Sequence, residues 1–445
     1  MIEFIKVMGT ILGALQGTSP GGPLTLDQAV SIAEKNAFAV QLQQSVIEKN
    51  RQKVNEARGN LGPQIGIGAN YTRYNQAVTT SFGPGSTPVT IQPIDTKNAS
   101  AILTMPIDIN GNRTRLLHAS EATKRSSDQT IRATYNDTRL NVRQAYFNVL
   151  RAQALIDVDQ KALADAQGRL DQGQKQFDQQ QVAKLDVTRY KAQVAQSTSD
   201  LISAKDSLTL ANYAFNLALA RPIETAVTLV DVTDLPAVTP SDSDLVLAAQ
   251  TSRPEILSAK ENLRALAFIT RATESGLNPS LNLQIQQNHN FDAQGLTAVA
   301  DQTVGQLIFT IPIFDSGVTK AKIKEARQDE VQAKIGLEQT KLQISQEVRN
   351  AIANLASAKA RFDNAIEQVK LAAEVFRLAQ VRQDAGAGTY YEVIDAESQL
   401  TLARNGQVSA RYDYLTSYSQ LQRAVGSDDV ANLVDSMNKA PKGGK

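Results

Sequence analysis

The chain has 445 residues, with 46 Lys and Arg against 45 Asp and Glu, two His, no Cys and no Trp. A net charge of +1 gives no electrostatic footprint for nucleic acid. The lack of Cys removes disulfide frameworks and thiolate metal sites, and His118 and His289 stand too far apart in sequence to suggest a His-based metal or catalytic centre.

In chain order, residues 1–23 read as a signal-like segment: Lys6 precedes the mostly apolar run Val7 to Leu15, followed by small, turn-forming residues. Residues 24–222 form a first repeat. Its opening helix starts at Thr25 and Gln28, a capping-box spacing, and is expected to run to about Gly59. A β-hairpin is expected over 62–110, a long helix over 112–176 and a further helix over 184–220. Residues 223–241 are an extended, Pro-bearing linker. A second repeat over 242–426 has the same order: helix, β-hairpin 278–316, long helix 318–383, helix 391–425. Residues 427–445 make a polar tail. No run of 18 apolar residues occurs, so no membrane-spanning helix is expected.

The duplication is explicit. A shift of 206 residues pairs Thr104 with Thr310, Gly111 with Gly317, Arg143 with Arg349, Asn148 with Asn354 and Ala218 with Ala424. Upstream of the second strand the shift becomes 216, matching "LGPQIGIG" at Leu61 with "LNPSLNLQ" at Leu277. The extra residues of the first copy fall in "TTSFGPGSTPVTIQP", which reads as loop.

Both long helices carry heptads with large residues at one seam position and small ones at the next. Val348, Leu355, Phe362, Val369 and Phe376 alternate with Ala351, Ala358, Ala365, Ala372 and Ala379; Val142, Val149, Ile156, Leu163, Leu170 and Phe177 run with Ala145, Ala152 and Ala166. A helix of about 65 residues reaches roughly 100 Å, so an intramolecular coiled coil and the wall of a helical tube both fit the pattern.

The strands alternate with period two. Ile65, Ile67, Ala69 and Tyr71 alternate with Gly66, Gly68, Asn70 and Thr72; Ala101, Leu103, Met105 and Ile107 follow the same rule. In the second repeat Leu281, Leu283 and Ile285 alternate with Asn282, Gln284 and Gln286, and Leu307, Phe309, Ile311 and Ile313 form a fourth apolar row. Runs of around ten residues suit tilted membrane strands, although a soluble half-buried hairpin alternates identically. Four strands cannot close a barrel, and lipid forbids open edges, so strands of this kind in a membrane must be pooled from several chains.

Over residues 24–426 the sequence resembles the TolC-type outer-membrane efflux proteins. The resemblance is carried by "LTLDQAVSIAEKNAFAVQLQQ" and "AAQTSRPEILSAKENLRAL" at the starts of the repeats, "LNPSLNLQ" before a strand, "FTIPIFDSG" after one, and "YYEVIDAESQL" in the last helix. It implies an α+β membrane protein built from two tandem structural repeats: a trimeric 12-stranded β-barrel, four strands per chain, continued by a long α-helical periplasmic barrel. It also implies a homotrimer in the cell outer membrane, in contact with its lipid. Such a protein is a passive exit duct of a tripartite efflux or type I secretion system. A periplasmic adaptor and an inner-membrane pump would be its partners, and no nucleic acid is involved. Carried over by position, the pore constriction falls on Glu392 and Asp395, with Asp186 and Arg189 at the matching place in the first repeat, and adaptor docking falls near the helix breaks at Gln180, Val182, Gly386, Gly388 and Thr389. The family's gate Tyr and Arg fall on Gln383 and Gly388, and its helix-breaking Gly in the first repeat falls on Gln180. Arg189 is the candidate substitute, pairing with Glu392 or Asp395 of a neighbouring helix. No nucleophile elbow, Gly-rich phosphate loop or HExxH motif appears, so neither an enzyme nor a cofactor is expected. A periplasmic adaptor or a soluble coiled-coil scaffold without channel activity is the competing reading.

Overall fold

In the computed structural model the described residues are 22–430, apart from 234, 237–241 and 294–298. Most of the signal-like segment, part of the linker and the tail from 431 lie outside the described residues.

Each repeat opens with two helices, where one had been expected. α1 (Leu26–Asn36) and α2 (Phe38–Gly59) part at Ala37, whose ψ of 131° is extended. α5 (Asp242–Ser252) and α6 (Pro254–Glu274) part at Arg253. Pro254 explains the second break, since it lacks an N–H and disfavours helical geometry in the residue before it. Phe38 occupies the same repeat position, so the first break falls at the matching place without a Pro to announce it. The Thr25 capping box forms as expected: Thr25 Oγ1 accepts from the Gln28 N–H at 3.3 Å, and Gln28 Oε1 accepts from the Thr25 N–H at 3.1 Å.

The remaining elements are β1 (Gln64–Arg73), β2 (Val78–Thr80), β3 (Val89–Gln92), β4 (Asp95–Ile107), α3 (Asn112–Asp178), α4 (Lys184–Ala218), β5 (Ser280–Asn290), β6 (Asp301–Thr310), α7 (Val318–Asp384) and α8 (Tyr390–Val425). Two strand expectations are corrected. Part of the Thr79–Pro93 loop is a short hairpin, β2 with β3, because Val78 to Thr80 and Val89 to Ile91 are β-branched and pair across the Gly- and Pro-rich turn. β6 stops at Thr310 before Pro312, which cannot donate to a ladder; Pro106 stays within β4, opposite Asn282.

The chain forms two compact units, each drawing on both repeats. The first comprises 1–44, 129–256 and 339–445 and is helical. Its core joins Ala29 and Ala33 of α1, Val142, Tyr146, Val149 and Leu150 of α3, Phe215 of α4, and Tyr412 and Leu415 of α8. The Tyr146 hydroxyl lies 2.9 Å from the Leu24 carbonyl and 2.6 Å from that of Val230. Leu24 bridges Leu229 in parallel, which fastens the inter-repeat segment to the start of the chain. Of the seam residues, Val348, Ala351, Leu355, Ala358, Ala365 and Ala379 are buried, as are Val142, Ala145, Val149, Ala152, Ile156 and Ala166, whereas Leu163, Leu170, Phe362, Val369, Ala372 and Phe376 are half-buried and Phe177 is exposed.

The second unit, 45–128 and 257–338, holds a four-stranded antiparallel sheet in the order β1-β4-β5-β6. Its register sorts most side chains of the helix-proximal half by face, with Ile102, Val304 and Ile308 as exceptions on the polar side. Ile65 lies opposite Leu103, Leu103 opposite Ile285, Met105 opposite Leu283, and Leu283 opposite Leu307, so one face is apolar. The other face carries Asn70, Asn98 and Asn290 in one row, Ser100, Asn288 and Gln302 in another, and Thr104, Gln284 and Gln306 in a third. The apolar face is bare: Ile67 is 85% exposed and Leu307 65%. Among the described residues, no helix is long and apolar enough to cross a membrane.

Both long helices start by the same device. Gly111 (φ 66°) and Gly317 (φ 85°) turn the chain through the left-handed region, which favours glycine. An Asp then caps the free N–H groups. Asp108 accepts from the Arg113 and Thr114 backbone at 3.1 and 2.8 Å and from the Thr114 hydroxyl at 2.6 Å; Asp315 accepts from Gly317 and Thr319 at 3.0 and 2.7 Å. Partial burial pulls the Asp108 carboxyl upward, but the hydrogen bonds from Thr114 and Arg113 outweigh it and hold it below the usual carboxylate range. Its stabilising effect is therefore complete above the unfolded carboxylate value of about 3.9 and fades as pH falls through its lower folded value. Acid unfolding followed by circular dichroism should show a shallower loss of stability below about pH 4 in Asp108→Asn than in the parent. Gly317→Ala should cost about 1–2 kcal/mol.

Candidate functional site

The positions singled out by sequence lie at two helix–helix turns of the first unit. After α3 the Gln180 N–H donates to the Phe177 carbonyl and the Gln181 N–H to that of Gln176, both at 2.9 Å. After α7 the Gly386 N–H donates to Gln383 at 2.9 Å and the Ala387 N–H to Arg382 at 2.8 Å. These are the same Schellman closure. Gln180 (φ 58°) thus adopts the conformation that Gly386 (φ 70°) adopts without a Cβ penalty. A Cβ on Gly388 would lie 3.0 Å from the Gln383 backbone nitrogen, so that turn admits little but glycine.

The helices that follow restart differently. Thr389 caps α8, its Oγ1 accepting from the Glu392 N–H at 3.3 Å. α4 is preceded by Ala183, an N-cap residue that offers no side-chain cap, and Val182 before it is half-buried.

Within one chain the first-repeat candidates, Asp186 and Arg189, are not joined to the second-repeat ones, Glu392 and Asp395. Arg189 pairs with Asp186 on its own helix at 3.7 Å, whereas Glu392 faces Arg382 at 3.9 Å and Asp395 is exposed. Among the described residues, no ion pair links Arg189 to Glu392 or Asp395.

Contacts that sequence reading missed hold the two turns together. The Tyr190 and Tyr390 rings meet edge to face, 5.8 Å between centroids at 90°. The Tyr390 hydroxyl donates to Gln176 Oε1 at 3.0 Å. Burial, and next the nearby Tyr390, push the Tyr190 hydroxyl up to about 12, against a hydrogen bond with Gln383. The Tyr190 ring lies on Gly173, where a Cβ would stand 2.7 Å from the ring. One turn back along α3, Arg169 pairs with Glu397 of α8 at 2.7 Å and lies 4.9 Å from the Phe376 ring centroid. Burial raises the Glu397 carboxyl despite that guanidinium. The available signal was asymmetry: the repeat partners of Gly173, Tyr190 and Glu397 are Ala379, Ala396 and Lys191, so these positions break the duplication.

A bare apolar sheet face backed by an amide face, on a chain of duplicated long helices, has a clear counterpart among known proteins. The family model described as outer membrane efflux protein matches residues 29–221 and again 245–427. The chain belongs to the outer membrane efflux protein family. Outer membrane protein TolC of Escherichia coli is 26% identical, the alignment covering 98% of this chain and 90% of the relative. The cobalt-zinc-cadmium resistance protein CzcC of Cupriavidus metallidurans is 24% identical over 89% of this chain and 88% of its own. The fold agrees with that of the Campylobacter jejuni CmeC outer membrane channel, with a TM-score of 0.77, 18% identity, and 93% and 89% of the two chains covered. The family is one of channels, not of enzymes, and this efflux protein is an exit duct of the outer membrane.

The two turns of the efflux protein should respond unequally to substitution. Gly386→Ala should cost about 1–2 kcal/mol, since it adds a left-handed Cβ penalty, whereas Gln180→Ala should be nearly neutral because Gln180 already bears that penalty. Gly173→Ala should displace the Tyr190 ring and cost about 1–3 kcal/mol. Guanidinium unfolding of the three variants, followed by helix signal, checks the order.

Proposed function

We propose that three copies pool their sheets into one twelve-stranded barrel, and that the duct so formed docks to a periplasmic adaptor and an inner-membrane pump. The observation that carries the proposal is the sheet itself. Among the described residues β1 and β6 each have one free edge, the apolar face is exposed, and the opposite face is mostly amide and hydroxyl. Because the order β1-β4-β5-β6 is antiparallel throughout, β1 and β6 of one chain run in opposite directions. The β6 edge of one copy therefore matches the β1 edge of the next as an antiparallel pair, and repetition closes the ring without an edge exposed to lipid.

Asp186, Arg189, Glu392 and Asp395 line the constriction in this proposal. A pore ring of carboxylates favours cations, and Arg189 tempers it by engaging Asp186. The breaks at Gln180, Val182, Gly386, Gly388 and Thr389 receive the adaptor. The relatives' names include cobalt, zinc and cadmium resistance, alkaline protease secretion and toluene efflux. Cargo is accordingly chosen upstream by the pump, and the duct itself contributes only a preference of charge sign at the constriction.

Particle images in detergent should show three-fold symmetry, and a water-soluble monomer would end the proposal. In planar bilayers, Arg189→Ala should increase cation preference, and Glu392→Gln with Asp395→Asn should reduce it. Unchanged ion selectivity in both would remove these four residues from the constriction.

A further inference from the structure

Among the described residues, α4 and α7 each keep one long side exposed. On α4, Val187, Tyr190, Ser197 and Phe215 are buried within the chain. The opposite side carries Ile202, Leu210, Tyr213 and Leu217, all exposed, Leu210 to 67%. On α7 the buried seam runs through Leu355, Ala358, Ala365 and Ala379. Opposite it stand Leu371, Val375 and Leu378, also exposed, Leu371 to 64%. Steps of three, four or seven residues keep each set on one helix face. Apolar stripes of this kind mark contact surfaces.

The two stripes change size in opposite order. On its bare side α4 opens with Ala192, Ala195 and Ser199 and only then becomes large. α7 is large near its end and small before that, at Ala353, Ala360 and Asn364. At 1.5 Å per residue from the helix–helix turns, the small stretch of α4 lies at about 12–22 Å and the large stretch of α7 at about 9–20 Å. The large stretch of α4 lies at about 27–50 Å and the small stretch of α7 at about 30–47 Å.

The two turns stand level within the chain, because Arg169, near the end of α3, lies over Phe376, equally near the end of α7. Rotation about the axis of a helical tube keeps each turn at its own height. Levels counted in one chain therefore hold between copies, and the two stripes meet large against small over about 40 Å.

Charge falls in the same register. Asp206 lies within the α4 stripe, about 33 Å from its turn, and Arg361 on the flank of the α7 stripe, about 35 Å from its own. Both are exposed. Among the described residues neither has an ion pair; Arg361 donates to Ser357 Oγ on its own helix at 2.7 Å.

We propose that the bare side of α4 in one copy packs antiparallel on the bare side of α7 in the next, with Asp206 facing Arg361 across the join. The inference rests on the trimer proposed above and adds its helical contact surfaces and their register. The two surfaces differ, so the contact is heterologous, and one α4 side and one α7 side per copy close a ring. The ion pair fixes register more than affinity.

The chain has no Cys, so engineered Cys pairs report without background. Tyr213→Cys with Ala353→Cys, at nearly equal levels, should cross-link the detergent-purified full chain under mild oxidation into a covalent trimer. Tyr213→Cys with Leu371→Cys, about 24 Å out of register, should not. Adding Asp206→Arg or Arg361→Asp to the first pair should lower the yield several-fold, and adding both should restore it. These two side chains are exposed, so folding is not at risk. Equal cross-linking of the two Cys pairs, or charge variants without effect on the yield, would overturn the proposal. Three-fold particles with no cross-linking of the first pair would overturn it and leave the trimer standing, whereas absence of three-fold particles would remove both.

Discussion

Lipid supplies no hydrogen bonds to backbone, and that constraint governs this chain. A four-stranded sheet in water can leave β1 and β6 solvated along their outer edges. In a hydrocarbon layer each unpaired N–H or carbonyl costs several kcal/mol, so the sheet has to find further strands. An even number of antiparallel strands makes its two edges complementary in direction, and this permits a closed ring of identical copies. The faces obey the same logic. Ile65, Leu103, Ile285 and Leu307 can meet lipid only if the amide rows on the reverse, such as Asn70, Asn98 and Asn290, meet water. Those rows are uncharged, so the strands would line a wet passage without imposing a field on what crosses it.

The helices satisfy their own backbone and owe the sheet only a firm starting point. Gly111 and Gly317 provide the reversal, and Asp108 and Asp315 cap the N-termini that follow. The two Asp residues are not repeat partners: they differ from the 206 shift by one residue and reach different N–H groups. Duplication preserved the need for a cap while the residue meeting it moved. At the other end of α8, Arg253 meets a comparable need. Its Nη1 donates to the carbonyl of Ala424 at 2.6 Å, and its remaining donors engage Glu255 and Glu347. A guanidinium only 1% exposed is tolerable because those donors are matched.

Much of this was legible because it is periodic. The heptad seams predicted burial of Val142, Val149, Val348 and Leu355, and period-two alternation marked the faces of β1 and β5. The capping box at Thr25 was local and therefore visible. What was not legible depends on partners distant in sequence or on position alone. Ala37 has no propensity to break a helix, and only its equivalence to Arg253, ahead of Pro254, marks the place. The β2–β3 hairpin is hidden by the Gly and Pro residues that turn it. Among the site residues, Gln180 and Gly386 were recognisable as helix breaks, but Tyr190, Tyr390 and the Arg169–Glu397 pair were not, because each is defined by a side chain from another helix.

Those hidden contacts explain how two unequal turns remain equivalent in form. The second turn is secured locally: Gly386 and Gly388 remove Cβ strain, and Thr389 caps the next helix. The first has a strained Gln180 and an uncapped α4, and local terms alone would leave it the weaker by about 1–3 kcal/mol. Tertiary packing makes up the difference, through Tyr190 on Gly173 and against Tyr390. In the second repeat the corresponding pair, Ala379 and Ala396, is small and buried and needs no such help. It follows that the first turn is held mainly by contact with helices of the other repeat. Any movement of α7 and α8 away from α3 and α4 would loosen the first turn before the second, so the turns are coupled in one direction.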